Sequence, residues 1–296
     1  MKSEISRDVS TSLDMTKAKS LLEVLQSTTA YFQKHKIENP RLNAEHLLAH
    51  ALGRTRMELY LEFERPLDDA ELAPLRDLVK RRAQGEPLQH LLGTVEFCGH
   101  TFAIDKRAMV PRPETEELVE LLQSRIENRE SRIVDVGTGS GVIALSLAVK
   151  FPDAKVCAVD ISEDTLVLAK ENAARLGLTD CVRFQKSDLL ENLSERFELI
   201  VANLPYISMQ DRYQLSREVL YDPEVALFGG PAGDELVGRL IEQAPAHLNP
   251  GGLLALEIGV NQAEGFAELL RQKNYHDIEL KRDYSGSTRF LLARYG

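Results

Sequence analysis

The sequence predicts an α/β protein: a mostly parallel, seven-stranded Rossmann-like sheet with an antiparallel edge, preceded by a small helical bundle. Three observations carry that reading. After Arg132, short apolar runs alternate with longer helical segments, the βαβα order of a sheet covered on both faces. A glycine-rich turn joins the first strand of this series to its helix. From about Met15 to Gly85 the apolar spacing is helical instead. A length of 296 residues suffices for one large domain and one small one.

Residues 1–14 are polar and expected to be disordered, and residues 15–90 form the helical domain. Leu21, Leu22, Val24 and Leu25, then Tyr31 and Phe32, recur at helical spacing until Asn39-Pro40 breaks the helix. Leu42 to Ala51 gives a second helix and Met57 to Leu61 a short third. Asp68 and Asp69 can cap a fourth that runs to about Arg82, and Gly85 stops it. Residues 91–110 read as a linking β-hairpin, with strand formers on either side of Gly99-His100. The larger domain, residues 111–296, opens with a helix from Glu114 to Ile126. Its strands are Ile133 to Val136, Lys155 to Val159, Val182 to Gln185, Phe197 to Ala202 and Leu253 to Ile258. Ile278 to Arg282 and Arg289 to Ala293 form the antiparallel end. Helices fall at Val142 to Val149, Glu163 to Leu176, Leu236 to Leu248 and Ala263 to Lys273.

Composition narrows the function. Hydrophobic residues at 43% and charged residues at 28% describe an ordinary globular chain. A net charge of -10 disfavours stable nucleic-acid binding, which needs Lys and Arg against phosphate. The three cysteines are far apart and lack CxxC spacing, and the seven histidines form no cluster, so neither disulfides nor a metal site are expected. No run of eighteen apolar residues and no signal peptide is found, which points to a cytoplasmic protein without a membrane partner; a monomer is expected, though the sequence itself does not show oligomeric state.

The glycine turn reads Ile133-Val-Asp135-Val-Gly137-Thr138-Gly139-Ser140-Gly141. Glycines let the backbone turn tightly and approach a ligand, and the helix that follows presents free N–H groups. Any tight strand-to-helix turn would use glycine too. Asp160 ends the next strand, where a carboxylate can accept hydrogen bonds from both hydroxyls of a ribose; Ser162 is the better candidate to cap the following helix. Asp188 ends the third strand, where it can meet an adenine amino group while Leu189 packs on the ring; a surface turn is the alternative for both. These spacings fit a nucleoside and do not separate a dinucleotide from S-adenosyl-L-methionine.

The fourth strand ends in Asn203-Leu204-Pro205-Tyr206, which resembles the Asn/Asp-Pro-Pro-Tyr tetrad of methyltransferases acting on planar nitrogen. An amide or aromatic amine nitrogen is a poor nucleophile because its lone pair is delocalised. Acceptors fixed on its N–H groups favour pyramidalisation and turn the lone pair toward the methyl carbon. The Asn203 side-chain oxygen and a carbonyl of Leu204-Pro205 can be those acceptors, with Pro205 stiffening the backbone and Tyr206 offering a flat face. Asp135 would hold the methionine end of the cofactor, directly or through water.

With these residues placed, the chain resembles the glutamine methyltransferases of peptide chain release factors, the PrmC/HemK family, from about Leu21 to Gly296. Further markers are Val110-Pro-Arg112-Pro113-Glu114-Thr115-Glu116, Tyr221-Asp-Pro223-Glu224, Glu257-Ile-Gly259 and Asp283-Tyr-Ser-Gly286 with Arg289. The resemblance implies S-adenosyl-L-methionine as cofactor, S-adenosyl-L-homocysteine as product, and the Gly-Gly-Gln glutamine of class I release factors as substrate. It also implies that the helical domain docks that protein. Asn203 and the carbonyl after it would hold the glutamine amide, and Tyr206 would pack on it. Position 204 is Leu where the family usually has Pro, and Asn-Leu-Pro-Tyr is common in RNA adenine methyltransferases. An RNA or DNA adenine methyltransferase is therefore the alternative. It would be expected to carry a basic face, and only Arg54, Arg56, Arg76, Lys80, Arg81 and Arg82 cluster. Arg112 and Glu114 could orient the glycine turn, shape the substrate gate or form a helix-entry salt bridge.

Overall fold

A computed structural model describes residues 19–126 and 130–296. The segment 1–14, expected to be disordered, lies outside them. The chain divides into two compact units.

Among the described residues, the first unit comprises 19–93 together with Ser216–Tyr221. Its helices are α1 (Leu21–Lys34), α2 (Pro40–Leu52), α3 (Arg56–Leu61), α4 (Asp69–Ala83) and α5 (Leu88–Leu92). Reciprocal capping boxes open three of them, Ser20 with Glu23, Thr55 with Glu58 and Asp68 with Glu71, which satisfies backbone N–H groups that a helix start leaves free. α2 begins at Pro40 rather than Leu42, because a proline in the first turn loses no helical hydrogen bond. Leu21, Val24, Leu25, Phe32, Leu47, Leu48, Leu72 and Leu75 interlock as the core.

The basic cluster in this unit is largely neutralised. Arg54 pairs with Glu62, Arg56 with the buried Glu45, Arg76 with Asp69, Arg81 with Glu86 and Arg82 with Glu218. Five of the six residues of this cluster, all but Lys80, are thus matched with carboxylates.

The second unit holds the sheet. The hairpin β1 (Thr94–Phe97) and β2 (His100–Ala103) turns through Cys98 and Gly99, both left-handed. After α6 (Pro113–Gln123) come β3 (Arg132–Val136), α7 (Val142–Lys150), β4 (Lys155–Asp160), α8 (Glu163–Arg175), β5 (Val182–Lys186) and β6 (Phe197–Asn203). A short parallel pair, β7 (Ile207–Ser208) and β8 (Phe228–Gly230), flanks α9 (Glu224–Leu227). The chain closes with α10 (Glu235–His247), β9 (Leu248–Glu257), α11 (Ala263–Gln272), β10 (Tyr275–Arg282) and β11 (Thr288–Tyr295). The seven-stranded sheet has the order β10-β11-β9-β6-β3-β4-β5, parallel except at β11.

Strand side chains alternate between two cores, as the period of two requires. Val134, Val136, Ile200, Leu254 and Leu256 pack with Val237, Leu240 and Ile241 of α10 and with α11. Ile133, Val156, Leu199, Val201 and Ala255 pack with α6 and α7 on the other face. Each fully buried Val, Leu or Ile contributes about 1.5–3 kcal/mol, so the alternation itself fixes which strand ends point where. β9 starts five residues before the expected Leu253, running through Asn249-Pro250-Gly251 with a register irregularity against β6. Among the described residues no helix is long and apolar enough to cross a membrane.

Candidate active site

The carboxyl ends of β3, β4 and β6 converge on one cleft, as in open α/β sheets generally. Its lining is mostly apolar and includes Val136, Ile161, Leu189, Val225 and Leu236, with Asp160, Asp188 and Asn203 as polar contributors. Gly137, Thr138, Gly139 and Ser140 form one wall.

Two glycines of this turn are required by different neighbours. Gly137 has φ +72, and a Cβ there would stand 2.7 Å from Leu204 Cδ2. Gly141 has φ +85, and its Cβ would press at 3.1 Å on Ala169 of α8; it faces that helix and does not line the cleft. Asn172, on the same helix, donates to the Ser140 carbonyl at 2.8 Å and clasps Ala103 through both polar atoms of its amide.

Asp135 lies fully buried beneath the turn, outside the cleft lining. Its Oδ2 accepts from Thr138 Oγ1 at 2.6 Å and from the Ala144 N–H at 3.1 Å, while Oδ1 is buried with no hydrogen-bond partner. Burial pushes this carboxyl up to about 7. Asp160 Oδ2 accepts from the Gly139 N–H at 3.1 Å and Oδ1 from the Ser162 N–H at 2.9 Å. Ser162 caps α8 through Thr165 N, as expected, while Asp160 lines the cleft and braces the glycine turn. Asp188 also lines the cleft, but its carboxylate pairs with Arg239 at 2.9 Å. Leu189 beside it is buried with φ +51, a conformation costly for a leucine and found where a ligand wall must be shaped.

At the end of β6, Asn203 Nδ2 donates to Thr115 Oγ1 at 3.0 Å, and Thr115 Oγ1 donates to Glu257 Oε2 at 2.8 Å. With its donor side held there, the amide has its oxygen left for the cleft. The Leu204 side chain is buried against Gly137, so the residue that departs from the usual proline is absorbed under the glycine turn. The Pro205 carbonyl is crowded by Gly229, whose Cβ would stand 2.4 Å from it. Tyr206 is placed differently from its neighbours. Its ring lies over Gly259, with the Arg289 guanidinium 5.8 Å from its centroid, and lines a second depression with Ile207, Asn261 and Gln262.

Arg112 does not orient the glycine turn: it pairs at 2.9 Å with the buried Asp222, which also accepts from the Val110 N–H, tying together two of the sequence markers. Thr115 and Glu257 entered the sequence reading only as members of family markers, with no role assigned; Asn172 and the stretch Arg107, Ala108 and Met109, which also line or brace the site, were not singled out.

Comparison with known proteins bears on this geometry. Residues 23–93 match the family model described as PrmC N-terminal domain, and residues 113–230 match Methyltransferase small domain. A release factor glutamine methyltransferase from Chlorobaculum tepidum is 39% identical over 92% of this chain and 96% of its own length. One from Geobacter sulfurreducens is 40% identical over 94% and 97%. The chain belongs to the release factor glutamine methyltransferase family. A crystal structure of a methyltransferase from Pyrococcus furiosus, 23% identical, matches 66% of this chain and 88% of its own with a TM-score of 0.51, a likeness of fold. Within the release factor glutamine methyltransferase family, the tetrad, glycine turn and strand-end acids of this chain thus sit on the parallel sheet that its patterning predicts.

Proposed function

We propose that the chain transfers the methyl group of S-adenosyl-L-methionine to the side-chain amide nitrogen of the Gly-Gly-Gln glutamine in class I peptide chain release factors, in support of translation termination. The observation that carries this reading is the pinned Asn203 carboxamide, its donors held by Thr115 and its oxygen left to accept.

The cleft suits the cofactor. Apolar walls at Val136, Ile161 and Leu189 fit an adenosine, Asp160 has acceptor capacity for its ribose, and Asp188 stands at the far strand end for the adenine. The orphaned Oδ1 of Asp135, buried beneath the turn, has acceptor capacity for the cofactor's ammonium group through one water. When bound, the cofactor supplies an electrophilic sulfonium methyl and leaves as S-adenosyl-L-homocysteine.

The chain's own residues do the rest by positioning. Asn203 Oδ1 accepts from one N–H of the substrate amide and the Leu204 carbonyl from the other, since the Pro205 carbonyl is turned to Gly229. These acceptors favour the pyramidal nitrogen, whose lone pair then faces the methyl carbon. With the cofactor in the apolar cleft, glutamine enters from the depression that Tyr206 lines. The nitrogen is acidic once alkylated and releases its proton to solvent, so no strong base is needed. The buried Leu204 contacts Gly137 and leaves this arrangement intact, and the neutralised basic cluster argues against an RNA substrate.

Mass spectrometry of a release factor after incubation with enzyme and cofactor tests the assignment. One methyl on the loop glutamine, absent when that glutamine is replaced, is the expected result. Methyl label confined to ribosomal RNA would overturn it.

A further inference from the structure

Asn203 is symmetric in shape and asymmetric in chemistry: rotating its amide by half a turn exchanges an acceptor for a donor. A donor facing the cleft would meet the substrate N–H groups head-on. Something must therefore choose between the two orientations, and the residues around the amide do so.

β6 pairs with β9 so that Asn203 stands opposite Glu257. Thr115, in the first turn of α6, sits between the two side chains. Thr115 and Glu257 are both buried. A hydroxyl has one hydrogen. That of Thr115 goes to the Glu257 carboxylate, which leaves a lone pair toward Asn203, and only the NH2 group satisfies a lone pair. Flipping the amide would set oxygen against oxygen. Turning the hydroxyl to rescue the flip would strip a buried carboxylate of its donor.

Resting on the methyl-transfer reading above, we propose that Thr115 and Glu257 are positioning residues: together they form a directional relay that selects the acceptor-outward orientation of the Asn203 carboxamide. Burial pushes the Glu257 carboxyl up to about 7, against the pull of Arg289 and with Glu114 adding to the rise. Tyr206 also faces this group. A neutral carboxyl can instead give its own hydrogen to Thr115 and reverse the relay, so the carboxylate, which only accepts, is the form that fixes the direction and gains population as pH rises through neutrality.

Two readouts test the relay. In protein labelled with 15N at asparagine, the Asn203 side-chain NH2 is expected to be protected from hydrogen exchange in the wild type and in Thr115→Ser. In Thr115→Val that protection is lost. In turnover, Thr115→Val lowers kcat about 10- to 100-fold, the loss of one charge-linked hydrogen-bond system, with cofactor Kd unchanged, and Thr115→Ser restores it. Glu257→Gln keeps an acceptor but loses the charge, and flattens the rise of kcat with pH. Equal exchange protection in wild type and Thr115→Val overturns the relay, as does a kcat loss that Thr115→Ser does not restore. A wild type that methylates no release factor overturns the functional reading, and the exchange measurement still decides the relay.

Discussion

Gly137→Ala is the sharpest probe of how the glycine turn is built. The new methyl would lie 2.7 Å from Leu204 Cδ2, well inside van der Waals contact, and the backbone at φ +72 disfavours any Cβ. The left-handed conformation costs about 1–2 kcal/mol. Displacing a buried leucine adds about 1–3 kcal/mol of overpacking. The expected destabilisation is then about 2–5 kcal/mol, read from urea unfolding. Because Leu204 follows Asn203, the displacement also reaches the acceptor pair, so kcat falls together with stability. The double variant Gly137→Ala, Leu204→Ala separates the two costs. Removing the leucine relieves the clash and leaves only the backbone term, so the cycle shows about 1–3 kcal/mol of coupling. If the two substitutions add to within about 0.5 kcal/mol, the clash is not the reason for glycine at 137 and the reasoning fails.

Asn203→Ala should lower kcat by about 100- to 1000-fold, the loss of a preorganised partner of the reacting group, while calorimetry finds cofactor Kd nearly unchanged. Asp160→Ala should act the other way, weakening cofactor binding by about 10- to 100-fold, since its carboxylate both braces Gly139 and has acceptor capacity for the ligand. Asp135 gives a pH signature. Its folded-state pKa lies near 7, above the ordinary 3.8, so the folded chain holds a proton that the unfolded chain releases. Stability from this group is full below about pH 4 and declines as pH rises toward 7. Urea midpoints across that window should show a decline that Asp135→Asn reduces; an unchanged slope would show that Asp135 does not titrate there.

What the sequence makes legible here is what lies close together along the chain. Capping boxes span three residues, the strand period is two, and the glycine turn and the tetrad are each contiguous, so the mostly parallel sheet with its antiparallel edge and the strand-end positions of Asp160 and Asn203 follow from local patterns, while the order of the strands does not. Thr115 escapes such a reading because its partners lie 88 and 142 residues away. Asn172 likewise reaches across 69 residues to Ala103 and looks, in sequence, like any polar position on a helix. The direction of the Tyr206 ring is set by Gly259 and Arg289, which the tetrad itself does not contain. β7 and β8 are too short to leave a periodic trace, and Pro250-Gly251 disguises the start of β9 as a turn.

The alignment of β6 with β9 has a consequence for how such an enzyme can fail. A slip of one residue between these two strands would send Glu257 to the opposite face of the sheet and leave Thr115 facing an aliphatic neighbour. Chains that collapse with those strands misaligned would then be compact yet inert. Specific activity in a refolded sample therefore counts the fraction of molecules whose central strands have found their correct partners.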